Sequence, residues 1–271
     1  MNKPPLISVI MSVHNSEQFL PFSVESILNQ TYRNFEFLIV DDCSTDNSLT
    51  LLRGYEKNDS RITIFTNQTN IGLTKSLNFL ISQSKGSFIA RMDDDDISLP
   101  TRFEKQIQFF ENNTFDIIGC NCDEIDQKGF VTGSKSYPET DLNIKKLMTI
   151  CNPVSHPSVM FKKEMIEKAG CYNESFKTSQ DYELWFRCAA LGLTFYTIQE
   201  PLLLYRNVRS EFKRKSIRYR IIDMKIRWNG YNVMKIPFYK RIYILIPFII
   251  GIFPIHFVRF LKKFDPRKSK N

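Results

Sequence analysis

No glycine-rich phosphate loop follows the first apolar run of this 271-residue chain. Gly-x-Gly-x-x-Gly is missing there, which disfavours a dinucleotide fold, and a Walker-type P-loop is missing too. The six cysteines, at 43, 120, 122, 151, 171 and 188, are scattered, with no Cys-x-x-Cys and no histidine pair at zinc spacing. That pattern argues against a structural zinc site and for reduced thiols in a cytosolic setting. The apolar run before His14 is too short for a secretory signal, so the N-terminus reads as a cytoplasmic start. No nucleic-acid motif is recognisable, and the basic residues alternate with aliphatics, so nucleic acid is not an expected partner. Negative charge is scarce toward the C-terminal end. From Pro201 onward 18 Lys+Arg face 3 Asp+Glu, whereas the first 200 residues carry 19 and 26. An acidic body followed by a basic tail points to an anionic surface near the tail.

What is present is organised around Arg91-Met92-Asp93-Asp94-Asp95-Asp96. Four adjacent carboxylates repel one another and weaken a packed core. A chain tolerates them in a solvated loop, or uses them beside a divalent cation such as Mg²⁺ or Mn²⁺, which takes oxygen ligands and bridges carboxylates to phosphates. The tract follows the apolar run Ser87-Phe88-Ile89-Ala90, so it stands at the end of a predicted strand.

Ile7 to Val13, Phe35 to Val40, Ile62 to Phe65 and Ser87 to Arg91 read as strands. Helical stripes separate them, the first carrying Phe19, Leu20, Val24, Ile27 and Leu28 behind Ser16 as N-cap. Strand and helix alternating at about 25 residues predicts an α/β chain with a mostly parallel sheet flanked by helices. Right-handed crossovers then bring the polar turns at Asn15–Glu17, Asp41–Asp42, Asn67–Asn70 and Asp93–Asp96 to one edge. Further on, a fifth strand is expected over Asp116–Cys120, an edge strand over Phe130–Tyr137 and a short helix over Leu142–Ile150. Ser179 is a predicted N-cap for a helix whose buried face is Leu184, Trp185, Cys188 and Leu191. Asp181 falls at its second position, where a carboxylate either complements the helix dipole or serves as a general base facing the same edge.

Seven stretches, in this order, resemble the family 2 glycosyltransferases of GT-A fold that build bacterial polysaccharides: Ser8 to Asn15, Glu25 to Tyr32, Phe37 to Asp46, Asn70 to Asn78, Ala90 to Asp96, His156 to Phe161 and Gln180 to Trp185. The resemblance covers about residues 6 to 206 and makes 1–206 a catalytic domain and 207–271 a basic, apolar tail. It implies that Val13, His14 and Glu17 line a nucleotide pocket and that Asp42 accepts a hydrogen bond from uracil. Lys75 lies near the phosphates, Asp93 touches the ribose and Asp95 holds the metal. Asp181 is the inverting general base. The implied donor is a UDP-sugar, the cofactor Mg²⁺ or Mn²⁺, and the acceptor a lipid-linked or oligosaccharide hydroxyl. Two positions differ from the family pattern. Gln180 stands where relatives carry Glu, and Val208 where many carry a metal-binding histidine, which leaves the metal to Asp95, diphosphate and water.

In the tail, Arg206 to Arg227 interleaves Lys and Arg with Phe212, Ile217, Ile221, Ile222 and Ile226 at helical spacing. This is either an amphipathic helix packed on the body or a helix at an anionic membrane surface. Ile242 to Val258 is an uncharged stretch of 17 residues interrupted by Pro247, Gly251 and Pro254. Its length leaves open interfacial attachment, a buried hairpin and a true span. Attachment at the inner face of the plasma membrane would bring the catalytic domain to a lipid-linked acceptor. The competing readings are a nucleotidyltransferase, which needs a glycine-rich loop after the first strand, and a membrane-bound sugar-nucleotide binder without catalysis.

Overall fold

The computed structural model describes residues 4–207, 217–246, 248 and 267. The first half alternates strictly: β1 (Ile7–Val13), α1 (Leu20–Leu28), β2 (Phe35–Asp41), α2 (Ser48–Asn58), β3 (Ile62–Thr66), α3 (Leu73–Gln83) and β4 (Phe88–Arg91). Then follow β5 (Ile97–Ser98), α4 (Arg102–Asn112), β6 (Ile117–Ile125), β7 (Val131–Lys135), α5 (Asp141–Met148), β8 (Met160–Lys162), α6 (Lys163–Lys168), α7 (Gln180–Ala190), β9 (Phe195–Arg206) and α8 (Ile217–Val233). The strands form one sheet in the order β3-β2-β1-β4-β8-β6-β9-β5, with β7 on β6. β1 pairs in parallel with β2 and β4, and β2 with β3. β8 runs antiparallel to both β4 and β6, and β6 is parallel to β9. The carboxyl ends of β1, β2, β3, β4, β6 and β9 therefore share one edge, where ligands collect in open α/β sheets.

Period-two alternation divides the core. Ile7, Val9, Met11 and Val13 face one side with Phe37 and Ile39, packed under α1, α2 and α4. Ile10, Leu38, Val40 and Ile89 face the other side, with α3, α5 and α7. Burial of both faces is why these strands read as continuous apolar runs. α8 adds a further layer on α7. Its Gly230 lies against the Phe186 ring, and a Cβ there would sit 2.3 Å from that ring.

Four local expectations change. Ser16 is not the N-cap of α1. Its carbonyl accepts from Phe19 N at 3.0 Å and Leu20 N at 2.9 Å, and the helix begins at Leu20 with Pro21 in the first turn, where a missing N–H costs nothing. Ser179 precedes α7 in the left-handed region, φ 55°, and makes no side-chain cap bond. Leu191 follows the last turn of α7 and is 58% exposed, so it leaves the buried face. β6 continues to Ile125, because β9 and β7 pair along its second half.

Candidate active site

The turns meet as expected at the carboxyl edge, around a cavity of about 560 Å³. After β1, His14 donates its backbone N–H to Asp94 Oδ2 at 3.3 Å, and its Nδ1 lies 2.9 Å from the Asp42 carbonyl. A carbonyl only accepts, so Nδ1 carries the proton and Nε2 is left as the acceptor. After β2, the Asp42 carboxylate takes three donors: Asn67 Nδ2 at 2.8 Å, Ile71 N at 2.9 Å and Gly72 N at 2.8 Å. It thereby folds the β3–α3 turn onto the cavity wall, with Gly72 in the left-handed region at φ +88°. Asp42, His14, Asp93, Asp94 and Asp95 all line the cavity.

The acidic tract is held from behind by arginines. Arg91, almost wholly buried, pairs with Asp93. Burial works against its charge, but the Asp93 carboxylate more than offsets this and raises its pKa. Arg102 donates to the Arg91 carbonyl at 2.9 Å and to the Pro157 carbonyl at 3.0 Å, clamping the end of β4. From the end of β9, Arg206 gives its backbone N–H to Asp96 Oδ1 at 2.7 Å and its Nε to the Asp95 carbonyl at 2.7 Å. Asp96 is fully buried, its Oδ2 has no hydrogen-bond partner, and burial followed by the charges of Asp93 and Asp95 pushes its pKa well up. One oxygen from each of Asp93, Asp95 and Asp96 lies within 4.8 Å of the others. An all-oxygen set with an orphaned buried carboxylate oxygen suits a hard divalent cation.

Asp181 lies in the first turn of α7, 9% exposed; it is not among the residues that line the cavity, although Lys177 and Thr178 just before it in the chain are. Asn152 Nδ2 donates to its Oδ2 at 2.5 Å. Burial raises its pKa, against the opposing effects of that hydrogen bond, of backbone N–H groups and of the Arg91 charge. Arg91 thus lies within electrostatic reach of both Asp93 and Asp181. Close by, His156 Nε2 and the Tyr172 hydroxyl are 2.8 Å apart, and burial and then Arg91 hold that imidazole well below its usual pKa. At the back of the same helix Glu183 forms a bidentate pair with Arg187, at 2.8 and 2.7 Å. Arg187 in turn donates to the Ala169 and Cys171 carbonyls, fixing α7 against α6.

Three other residues named from the sequence stand away from the cavity. Val13 is buried in the core, and its carbonyl accepts from Asp42 N at 2.8 Å. Glu17 turns to the β2–α2 loop, where its Oε2 accepts from Asn47 N at 2.9 Å. Lys75 is on the exposed side of α3. Val208 lies outside the described residues. Sequence reasoning missed Arg91, Asp96, Asn152 and Arg206 as site residues. The first two were in plain view inside the acidic stretch, but Asn152 and Arg206 show no local pattern that ties them to it.

The model of the family "Glycosyl transferase family 2" matches residues 8–170, more than half of the chain. The chain belongs to glycosyl transferase family 2. This family 2 glycosyltransferase is 34% identical over 261 residues to the putative glycosyltransferase EpsE of Bacillus subtilis (strain 168), covering 94% of this chain and 92% of that one. It is 36% identical over 220 residues to the O-antigen biosynthesis glycosyltransferase WbnJ of Escherichia coli, covering 79% and 84%. In fold it resembles S. aureus TarS 1-349, solved in complex with UDP-GlcNAc, with a TM-score of 0.68 at 17% identity over 84% of this chain and 70% of that one. It also resembles the mannosyltransferase PcManGT of Pyrobaculum calidifontis, solved with GDP-Man and Mn²⁺, with a TM-score of 0.58 at 12% identity over 96% and 79%. The family 2 glycosyltransferase therefore has the GT-A type of sheet.

Proposed function

We propose that this glycosyltransferase inverts the anomeric centre as it moves a hexosyl or N-acetylhexosaminyl group from a UDP-sugar to a hydroxyl of a lipid-linked or oligosaccharide acceptor. The reaction belongs to cell-surface polysaccharide or lipopolysaccharide synthesis on the cytoplasmic face of the membrane. The observation that carries this reading is the pairing of two carboxylate environments. Asp93, Asp95 and Asp96 bring three carboxylates within 4.8 Å at the cavity, and Asp181, buried and of raised pKa, lies in the first turn of the helix that follows the wall residues Lys177 and Thr178. Support for the donor and pathway comes from TarS, solved with UDP-GlcNAc, and from WbnJ, named for O-antigen synthesis.

In this reading Asp93, Asp95 and Asp96 would hold Mg²⁺ or Mn²⁺, and a bound cation there would supply positive charge to the leaving diphosphate. His14 and Asp42 shape the nucleotide end of the cavity, and Asp93 meets the ribose. Asp181 takes the proton from the acceptor hydroxyl as its oxygen bonds to the anomeric carbon, and the bond to the diphosphate oxygen breaks with its electron pair leaving on UDP. The sugar passes through an oxocarbenium-like state and emerges inverted. A positioned base contributes about 10²- to 10⁴-fold.

The test is Asp181→Asn with UDP-sugars and Mn²⁺. Transfer should fall by about that factor while UDP affinity changes little. Near wild-type turnover removes Asp181 from the mechanism, and release of pyrophosphate instead of UDP points to a nucleotidyltransferase.

A further inference from the structure

We infer that the outer face of α8, together with the 3₁₀ helix Phe238–Leu245 that follows it, is a docking surface for an anionic phospholipid bilayer. The inference rests on the transferase reading only for its purpose, the delivery of a lipid-linked acceptor.

One face of this segment is firmly committed to the catalytic body. Ile226, Tyr231 and Ile244 are buried. Arg227 Nη1 donates to the Ile150 carbonyl at 2.6 Å, and the Tyr231 hydroxyl to the Thr149 carbonyl at 2.5 Å. Other apolar residues of the segment stay exposed. They are large and many: Ile217, Ile221, Trp228, Val233, Phe238, Tyr239, Ile242, Tyr243, Leu245 and Phe248 are all exposed, Phe238 at 82%, Tyr239 at 74% and Ile242 at 62%. At 3.6 residues per turn, positions 217, 221 and 228 fall within about 40° of one another on α8, opposite the buried positions 226 and 230, with buried Tyr231 about 40° to one side of Ile217 and exposed Val233 on the other face. Single exposed apolar residues are ordinary, whereas a contiguous patch marks an interaction surface.

Charge selects the partner. Residues 217–246 carry 7 Lys+Arg against a single acid, Asp223, and that acid is paired with Arg227. Arg241 lies 4.9 Å over the Trp228 ring and Lys240 6.0 Å over the Tyr239 ring, so cations and aromatics share one layer. Aromatic belts edged by Lys and Arg suit the headgroup region of an anionic leaflet. A second copy of the chain would bring like charges together. Among the described residues no helix is long and apolar enough to cross a membrane. Tyr219, which lines the catalytic cavity, falls about 160–180° around α8 from that stripe, so the exposed face and the cavity lie on different sides of the helix.

The test uses the full chain and vesicles of phosphatidylcholine, with and without phosphatidylglycerol, and needs neither donor nor acceptor. Cosedimentation should require phosphatidylglycerol and weaken as salt rises. The triple variant Phe238→Ser, Tyr239→Ser, Ile242→Ser should lose at least about tenfold in vesicle affinity. It should keep wild-type UDP release from the donor, which reports an intact active site separately from membrane docking. The wild-type protein offers a second readout. Of its two tryptophans Trp185 is buried and Trp228 half-exposed, so anionic vesicles should blue-shift the emission and shield Trp228 from acrylamide. Equal vesicle binding by the triple variant overturns the assignment. So does binding indifferent to lipid charge, or a wild-type dimer that the triple variant dissolves.

Discussion

Arg206 Nε and the backbone carbonyl of Asp95 lie 2.7 Å apart, joining residues 111 positions distant in sequence. The same guanidinium donates to the Asp126 carbonyl at 2.8 Å and lies 4.5 Å over the Phe19 ring. One buried side chain thus sets the backbone of the candidate metal carboxylate, the β6–β7 turn and the segment entering α1. Arg206→Ala should cost about 2–4 kcal/mol in chemical denaturation, because charged hydrogen bonds are lost and buried carbonyls remain. Mn²⁺-dependent UDP affinity should fall at least about tenfold in titration calorimetry, a 1.4 kcal/mol change. Arg206→Lys keeps the charge without the fork and should recover only part of either loss.

Most of the sheet was legible because its strands are buried on both faces. Ile7–Val13 and Phe35–Val40 announce themselves as apolar runs, and polar turns at their ends fix the edge on which a site must form. Helix starts were harder. Ser16 and Ser179 have the chemistry of an N-cap, but Pro21 sets the start of α1, and Ser179 is held at positive φ with no cap bond. Of the residues named from the sequence, His14, Asp42, Asp93 and Asp95 line the cavity. The supports of the site were not legible, since Arg206 reaches Asp95 and Asn152 reaches Asp181 across the fold with no spacing rule to betray them. Glu17 shows the converse: a carboxylate in the right loop that the neighbouring Asn47 amide draws outward.

Burial raises the pKa of the Asp181 carboxyl from its ordinary value. Only its ionised form accepts a proton, so kcat should rise with pH through that raised value and then level off. The Arg91 charge opposes the rise. Arg91→Met should therefore move the acid limb of kcat to still higher pH, while Arg91→Lys keeps it near the wild-type position. Arg91→Met also breaks a buried ion pair and should destabilise by about 3–5 kcal/mol. The pH profile of the surviving folded enzyme separates the electrostatic effect from that loss.

Asp42 predicts a different signature. Its carboxylate accepts from two backbone N–H groups and from Asn67, and an amide at that position presents its own donors to one of those sides. Asp42→Asn should cost about 1–3 kcal/mol, the penalty for unsatisfied buried donors. Hydrogen exchange should quicken at Ile71 and Gly72. Donor KM should rise more than kcat falls, since Asn70, Gly72 and Leu73 of the β3–α3 turn line the cavity and Asp181 does not.

Gly230 tests whether α8 belongs to the catalytic body. A Cβ there meets the Phe186 ring at 2.3 Å, and Phe186 is itself buried on α7. Phe186 packs beside Tyr182, with ring centroids 4.9 Å apart, so its ring has little room to withdraw. Gly230→Ala should force the two helices apart at a cost of about 1–3 kcal/mol, in the range of overpacked cores. Because Tyr219 on α8 lines the cavity, the same substitution should also raise donor KM, although residue 230 touches no substrate. Phe186→Leu in the same chain removes the ring that the new methyl meets, and should restore part of both the stability and the KM. A Gly230→Ala protein with wild-type melting and kinetics would show that α8 sits on α7 without bearing on the catalytic cavity.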